Sequence, residues 1–600
     1  MSSLTKQRQA NEGTVPSAIK VIKKSSVFSA QSVIAQGFVP THGRRHYISL
    51  WCARIALCLV LVCDLCVVLC ASRSVRTLSG IVSGVVVTPQ HPRLEAVEVF
   101  KGLPYAATPK RFSPPQPASS WRGVRTAGRF APACPQRFPD IRDEAKALKK
   151  ISKGHLEYLK RVNPLLTSQS EDCLYLNVYR PLKSSVSTKL PVLVLVEGES
   201  FEWSPGHLHD GSVLASYGNL VVITLSYRLG LVGFLSADPT RKTLANFGLL
   251  DIIAALRWVQ DNIQEFGGDP ETVTLAGHGS GAACVHWLMT SPSVAPGTLF
   301  RRVILMSGSA ASIKSSVRDP WTITQKIASH VNCPLDHRLL NCLRDRPLEA
   351  LMSTPLDSSK FSTSFGPSED GVVIVRGQLR SLHEYKNPKR DPHFLKFTQG
   401  LTHKSLRHKR IAKYDLLLGV VKVEAFNYFS EHNINLGIES EEKIEILQSF
   451  VNQTYRFHQA EILATLVNEY TEWERPVQHP VNTLHETMEA LGDGLEVAPL
   501  VRAADLHSSG DSRCYLYVFG HQTRGGLYPQ KQGCVHGEEL PYLFGAPLSP
   551  GRDSIFSYNF SQAESRLSET VMSYWANFAH VGDPNRSGSL SQREDIKRHK

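Results

Sequence analysis

The sequence predicts an α/β fold in which a large, mostly parallel central sheet is flanked by helices. Short runs of β-branched and aliphatic residues recur along the chain, and segments with apolar residues at helical spacing separate them. Buried parallel strands read as continuous apolar runs because helices cover both faces of their sheet. A third observation is the stretch TVTLAGHGSGAAC at 272–284, where a strand pattern meets a glycine-rich turn and then an apolar run.

Six runs are predicted as strands of this sheet. In chain order they are LPVLVLVE (190–197), LVVITLSYR (220–228), TVTLA (272–276), RRVILMSG (301–308), YDLLLGV (414–420) and CYLYVF (514–519). The stretch LLDIIAALRWVQDNI (249–263) repeats apolar residues at the helical period and is predicted as a covering helix. No long linker or repeat interrupts the sequence from 75 to 587, so we expect one large domain there.

The region before this domain has the pattern of a targeting segment. Residues 1–46 are basic, and we expect a disordered leader. The seventeen-residue apolar run at 55–71 contains Asp64, follows arginines and ends in small residues. This pattern predicts that residues 47–72 are a signal peptide or an uncleaved signal-anchor. Both alternatives place the following domain outside the cytosol, in the secretory pathway or at the plasma membrane.

The net charge of +13 belongs to two segments. Residues 1–46 have seven Lys/Arg against one Glu, and residues 376–413 have eleven against one Glu and one Asp, which leaves −2 for the rest. A body of nearly neutral charge argues against nucleic-acid binding. The basic stretch 384–410 is expected to be a solvated inserted loop, with a heparan- or lipid-binding patch as the alternative. The polar tail 588–600 is expected to be disordered.

The cysteine count fits an oxidising compartment. Five of the twelve cysteines lie between residues 52 and 70, and seven remain. An odd number predicts three disulfides and one free thiol. Three sequons predict glycosylation at Asn452, Asn559 and Asn585.

The turn in TVTLAGHGSGAAC has the shape of the nucleophile elbow of serine hydrolases. In that motif, G-x-S-x-G, the serine stands at the tip of a sharp strand-to-helix turn. This chain has Gly279 at the tip and Ser280 one place later. At about 100° per helical residue, a one-place shift turns a side chain away from the pocket. Ser280 is therefore predicted not to replace the missing nucleophile.

Longer motifs point to a family. SEDCLYLNVYRP (170–181), ANFGLLDIIAALRWVQDNIQEFGGDPETVTLAG (245–277) and RRVILMSGSA (301–310) resemble the cholinesterase/type-B carboxylesterase family. CPQRFPDI (134–141) and HGEELPYLFGAP (536–547) are similar to the neuroligins, the cell-adhesion members of that family. The resemblance runs in order through 75–587 and implies an α/β-hydrolase fold.

The resemblance also implies where a catalytic apparatus would lie. Glu424 stands at the acid position and His536 at the base position, while Gly279 stands where the nucleophile belongs. Glu199 replaces one of the paired glycines of the oxyanion region, so its carboxylate would repel developing negative charge. Two faults in one site predict a pseudo-hydrolase. The Glu424–His536 pair is then expected to be vestigial, and Cys284 to be a buried free thiol.

Disulfides are implied in the same way. Cys134–Cys173 and Cys333–Cys342 match two bridges of the family. With Cys284 as the free thiol, Cys514 and Cys534 are the two cysteines left, and they are predicted to pair with each other.

The resemblance implies an adhesion protein at cell contacts, synaptic ones among them. It implies a neurexin-type partner, calcium at the contact, and a homodimer that uses the C-terminal helix 565–581. No other cofactor and no metal site is predicted. Membrane association could come from 47–71 or from an anchor beyond the end of the chain. The alternatives are an active carboxylesterase of relaxed design and a secreted protein that binds apolar ligands in the vestigial pocket.

Overall fold

The structure is a computed structural model. It describes residues 73–182, 189–238, 245–356, 360–377, 413–474, 477–508, 512–549, 555–556 and 558–586. The leader, the 47–72 segment, the basic loop 384–410 and the tail 588–600 lie outside these residues.

Within the described residues, twelve strands form two sheets. They are β1 (Ser74–Thr77), β2 (Gly80–Ser83), β3 (Val85–Val87), β4 (Val97–Pro104), β5 (Val124–Thr126), β6 (Tyr175–Pro181), β7 (Leu190–Val196), β8 (Val221–Leu225), β9 (Gly268–His278), β10 (Arg302–Met306), β11 (Asp415–Val421) and β12 (Cys514–Phe519). The central sheet has the order β12-β11-β10-β9-β7-β8-β6-β4-β3, and β1, β2 and β5 form a small second sheet. From β12 to β8 all neighbours are parallel, whereas β6, β4 and β3 form an antiparallel edge.

The predicted strands are the six that form the parallel part, β7 to β12. The antiparallel edge and the small sheet were not predicted. Their strands lack the continuous apolar pattern; β5, for example, is exposed along its whole length. The structure thus confirms the predicted α/β class and adds strands that a search for buried runs does not detect.

Sixteen α-helices accompany the sheets within the described residues. They are α1 (Glu144–Leu148), α2 (Lys153–Val162), α3 (Ser212–Gly218), α4 (Gly230–Phe234), α5 (Phe247–Asn262), α6 (Ser280–Thr290), α7 (Pro320–His330), α8 (Leu339–Asp345), α9 (Leu348–Met352), α10 (Glu431–Leu436), α11 (Ser440–Thr454), α12 (Gln459–Glu469), α13 (Pro480–Gly492), α14 (Ala498–Ser508), α15 (Leu540–Leu543) and α16 (Gln562–Val581).

Both faces of the central sheet are buried in its middle strands, as the sequence predicts, whereas the edge strand β12 leaves Leu516 and Val518 exposed. Along β7, Val192 and Val194 belong to one hydrophobic core cluster. Leu193 and Leu195 belong to a second cluster. Successive side chains of a strand point to opposite faces, so each face has its own core. Helix α5 packs in the first cluster and α16 in the second.

The apolar stripe of α16 faces its own domain. Val571, Trp575 and Phe578 are buried, whereas Tyr574 is 43% exposed. A capping box of Ser561 and Glu564 begins the helix, and each such cap satisfies backbone N–H groups that have no partner inside the helix. Among the described residues, no helix combines the length and the apolar character that a membrane span requires.

The predicted third disulfide is wrong. The structure contains the disulfides Cys134–Cys173 and Cys333–Cys342, but Cys514 and Cys534 are free. Cys514 begins β12 opposite Leu416 of β11. The carbonyl of Cys534 accepts a hydrogen bond from Val423 N–H, beyond the other end of β11. Seven strand residues span about 23 Å, whereas a disulfide needs Cα atoms within about 7 Å.

This arrangement predicts a distinct alkylation pattern. Of the seven cysteines after residue 72, a thiol reagent is expected to modify Cys284, Cys514 and Cys534 after denaturation without reductant. In the folded protein we expect slow modification of Cys514 alone, because the other two are buried and burial raises the pKa of the Cys284 thiol to about 12. Peptide mass mapping measures both patterns. Recovery of a crosslinked Cys514–Cys534 peptide would contradict the structure.

Candidate functional site

The candidate site lies at the carboxyl ends of the parallel strands, where ligands bind in open α/β sheets. Glu199 follows β7, His278 ends β9 and Glu424 follows β11. The loop that contains His536 reaches the same edge because Val535 forms a parallel bridge with Val423. The fold therefore brings these residues to one edge of the sheet, although they lie far apart in the sequence.

The elbow keeps its backbone geometry without its nucleophile. Gly279 has φ 54° and ψ −122°, which is a strained conformation for any residue with a side chain. Its neighbours are packed backbone to backbone. A Cβ on Gly281 would lie 2.1 Å from the carbonyl oxygen of Val196, and one on Gly308 would lie 2.1 Å from that of Gly279. Gly281 of the motif and Gly308, which follows β10, are thus needed by the fold itself.

The acid–base pair is assembled. Nδ1 of His536 lies 2.6 Å from Oε2 of Glu424, and Oε1 of Glu424 accepts a hydrogen bond from Ser307 at 2.7 Å. Burial lowers the pKa of His536, but the charge and hydrogen bond of Glu424 outweigh it and raise that pKa to about 9. Burial alone would raise the pKa of Glu424. The charge and hydrogen bond of His536 outweigh burial, so the pKa of Glu424 lies below its usual value.

The tip of the elbow faces this base. A Cβ built on Gly279 would lie 3.7 Å from Nε2 of His536. A serine at this position would therefore begin close enough for one of its rotamers to bring the hydroxyl to the histidine, as a nucleophile–base hydrogen bond requires. The glycine offers no such group.

Ser280 has a structural role. Its Oγ accepts a hydrogen bond from the backbone N–H of Phe201 at 3.1 Å. This contact ties the first turn of α6 to the loop after β7. The hydroxyl next to the elbow tip thus accepts a hydrogen bond from a loop 79 residues away in the sequence.

The loop that would form an oxyanion hole is closed on itself. The N–H of Glu199 donates to the carbonyl of Trp203 at 2.9 Å, so this donor is already used. Ser200 and Phe201 follow with φ angles of 56° and 60°, the left-handed region that glycine favours. Glu199, which replaces one of the family's glycines, therefore does not present a free N–H donor to the pocket, and the two residues after it have glycine-like backbone angles.

The pocket beside the elbow is charged. A cavity of about 180 Å³ is lined by residues that include Glu199, Gly279, Lys314, Glu496 and His536. Lys314 lies 2.7 Å from Glu496. Burial lowers the pKa of Lys314, but Glu496 and Tyr428 outweigh it and raise that pKa. This ion pair, in which Glu496 is buried and Lys314 is half-buried, places charge on the cavity wall and does not suit the apolar chain of an ester or lipid.

Two further residues of the site, His278 and Glu539, were not predicted from the sequence. His278 is 8% exposed and Glu539 1%, and Nε2 of His278 lies 3.3 Å from Oε1 of Glu539. The ring centroids of His278 and His536 are 4.7 Å apart. The only signal in the sequence was the histidine inside the elbow motif itself, at the variable position of G-x-S-x-G.

The three sequon asparagines, Asn452, Asn559 and Asn585, are exposed. Their glycosylation stays a prediction.

These features define a class of protein: an α/β-hydrolase fold with an assembled Glu–His pair and glycine at the nucleophile position. Residues 71–599 match the sequence profile of the Carboxylesterase family. The chain belongs to the Carboxylesterase family.

Within that family its homologues include neuroligins. It is 33% identical to Neuroligin-1 of Caenorhabditis elegans, with 87% of this chain and 66% of the relative covered. It is 34% identical to human Neuroligin-2 (85% and 61% covered), and 35% identical to mouse Neuroligin-3 (86% and 62% covered). The chain thus spans between three fifths and two thirds of the length of these relatives.

Proposed function

We propose that the chain is a neuroligin-like adhesion protein whose esterase-like domain does not hydrolyse esters and binds a partner through its surface. The elbow tip carries this proposal, because Gly279 faces His536 without a nucleophile. Loss of the nucleophile alone reduces turnover on the order of 10⁶-fold in a model protease. The homology to neuroligins supports the same function.

Display outside the cell is part of this proposal. Two disulfides are typical of secreted and cell-surface domains. The exposed sequons are accessible to glycosylation. We place the protein at cell contacts, including synaptic ones.

The proposed partner is a neurexin-type cell-surface protein, with calcium at the contact. Calcium suits a contact between two proteins because it accepts six to eight oxygen ligands, which two surfaces can share. We further propose a homodimer that uses α16. Its outward stripe, with exposed Arg566, Thr570 and Tyr574 four residues apart, lies on one face of the helix.

The test is capture of the purified chain by an immobilised neurexin ectodomain. We expect retention in calcium, loss with a chelator, and recovery when calcium is added back. Gly279→Ser serves as a matched control, since a substitution in the pocket should not affect a contact on the surface.

Absence of calcium-dependent retention would count against the named partner. Loss of capture in Gly279→Ser, with the fold intact, would locate binding in the pocket and overturn the surface contact.

A further inference from the structure

We infer that Glu199, His278 and His536 form a binding site for a zinc-type divalent metal ion. Each residue offers one ligand atom, and the three atoms lie within 4.8 Å of one another. The cluster joins three separate chain segments at the carboxyl ends of the strands. It is distinct from the calcium proposed at the partner contact.

The donor set favours zinc over calcium or magnesium. Two imidazoles and one carboxylate are common zinc ligands, while calcium and magnesium prefer oxygen alone. With bonds of about 2.0–2.1 Å, tetrahedral zinc holds its ligand atoms about 3.4 Å apart. The cluster therefore needs to contract by about 1.4 Å at most. Glu199 is only partly buried, so its side chain has room for that adjustment.

A second shell is already in place. Metal-binding histidines usually have a carboxylate or carbonyl at the other ring nitrogen, which fixes the orientation of the ring. Glu424 contacts Nδ1 of His536 at 2.6 Å and leaves Nε2 for a metal. Glu539 lies 3.3 Å from Nε2 of His278. The former catalytic acid would thus act as the orienting partner of a metal ligand.

The buried side of the cluster has polar groups that make no hydrogen bond of good geometry, although Nε2 of His278 and Oε1 of Glu539 lie 3.3 Å apart. Within the described part of the chain, Nε2 of His278 and both carboxylate oxygens of Glu539 are buried without a hydrogen-bond partner. Buried polar groups are nearly always satisfied by protein, water or an ion. His278 is more than nine-tenths buried, and its ring lies beside that of His536. A cation held between the rings would supply the missing charge next to Glu539.

The open side of the cluster meets the cavity. Glu199 and His536 line the cavity beside Gly279, whereas Glu199 and His278 line a smaller one behind it. The ion would therefore lie between the two cavities, with a fourth position open to water. The glycine at 279 keeps Nε2 of His536 accessible, because a side chain there would begin 3.7 Å from it.

The test is titration of the metal-stripped full chain with ZnCl₂ by calorimetry, and with CoCl₂ by visible absorption. We expect one equivalent of zinc and a cobalt spectrum of four-coordinate character, with no binding of CaCl₂ or MgCl₂ at this site. Glu199→Gln and His278→Gln should each weaken zinc binding at least about 100-fold. Glu539→Gln, in the second shell, should weaken it about 10- to 100-fold.

His458→Gln is the matched control, because its ring is 80% exposed and remote from the strand ends. It should bind zinc as the parent does. Circular dichroism of each variant establishes that the fold is retained, and Glu199→Gln is nearly isosteric and lies on a loop. Absence of one-equivalent binding would overturn the inference. So would unchanged binding in either ligand variant, since the ion would then be held elsewhere.

Discussion

Gly279→Ser is expected to react only slowly with a serine-directed fluorophosphonate, and the triple variant Gly279→Ser/Glu199→Gly/Ser200→Gly about 10²- to 10³-fold faster. The serine hydroxyl would begin beside Nε2 of His536, because the Cβ position lies 3.7 Å from that nitrogen. A nucleophile and its base would then be present. The oxyanion loop would still be closed, since the N–H of Glu199 donates to Trp203.

The expected ratio of the two labelling rates follows from the cost of a missing oxyanion donor. That cost is about 2.7–4 kcal/mol in the activation barrier, which corresponds to about 10²- to 10³-fold in rate. Glycine at position 199 removes the carboxylate, and glycine at position 200, where φ is 56°, gives the loop the freedom to turn its N–H donors toward the pocket. Labelling rates measured by intact mass give the ratio directly.

The parent protein is the first control and should not be labelled. Stoichiometric labelling of the parent that disappears in Ser280→Ala would contradict the assignment of Ser280 to a structural role. Equal rates for the single and triple variants would show that the loop does not limit the chemistry.

Asp251→Asn is expected to lower the free energy of unfolding by about 3–5 kcal/mol, the usual cost of breaking a buried ion pair by removing one partner. Asp251 is fully buried and binds Arg228 through two hydrogen bonds of 2.7 Å. It also accepts from the backbone N–H of Arg228 at 3.1 Å. The variant leaves a buried guanidinium without its counter-charge. Urea denaturation followed by circular dichroism measures the change.

The matched control is Asp336→Asn. Asp336 pairs with Arg338 in similar geometry, at 2.7 Å, but both side chains are exposed. Surface pairs of this kind commonly contribute nothing measurable. A similar loss of stability in both variants would mean that burial of the Asp251 pair is not the cause.

The sequence predicted those elements that are encoded by local residue patterns. Parallel strands such as β7 and β11 are apolar along their length, so their position was clear without any tertiary information. The antiparallel strands β4 and β6 were missed because their pattern is less regular. Gly279, Glu424 and His536 were located through family motifs, since nothing in local periodicity brings a glutamate and a histidine 112 residues apart into contact.

Two other features were not predicted correctly because they depend on distances between residues far apart in the sequence. Cys514 and Cys534 were paired because they were the two cysteines left over, but a count of cysteines says nothing about the distance between them. In the structure they lie near opposite ends of β11. His278 was visible in the elbow motif and yet had no assigned role. Its importance depends on Glu539 and His536, which come from a loop more than 250 residues later.

The backbone contacts around the elbow have a consequence for how such sequences are interpreted. Gly281 and Gly308 are held by steric contact with Val196 and Gly279, so selection for folding alone would preserve them. A search that scores the elbow by its glycines would report an esterase here, and mutational tolerance at these positions would be low with or without catalysis. The glycine at 281 is therefore explained by packing, and within this motif only the residue at the tip reports on chemistry.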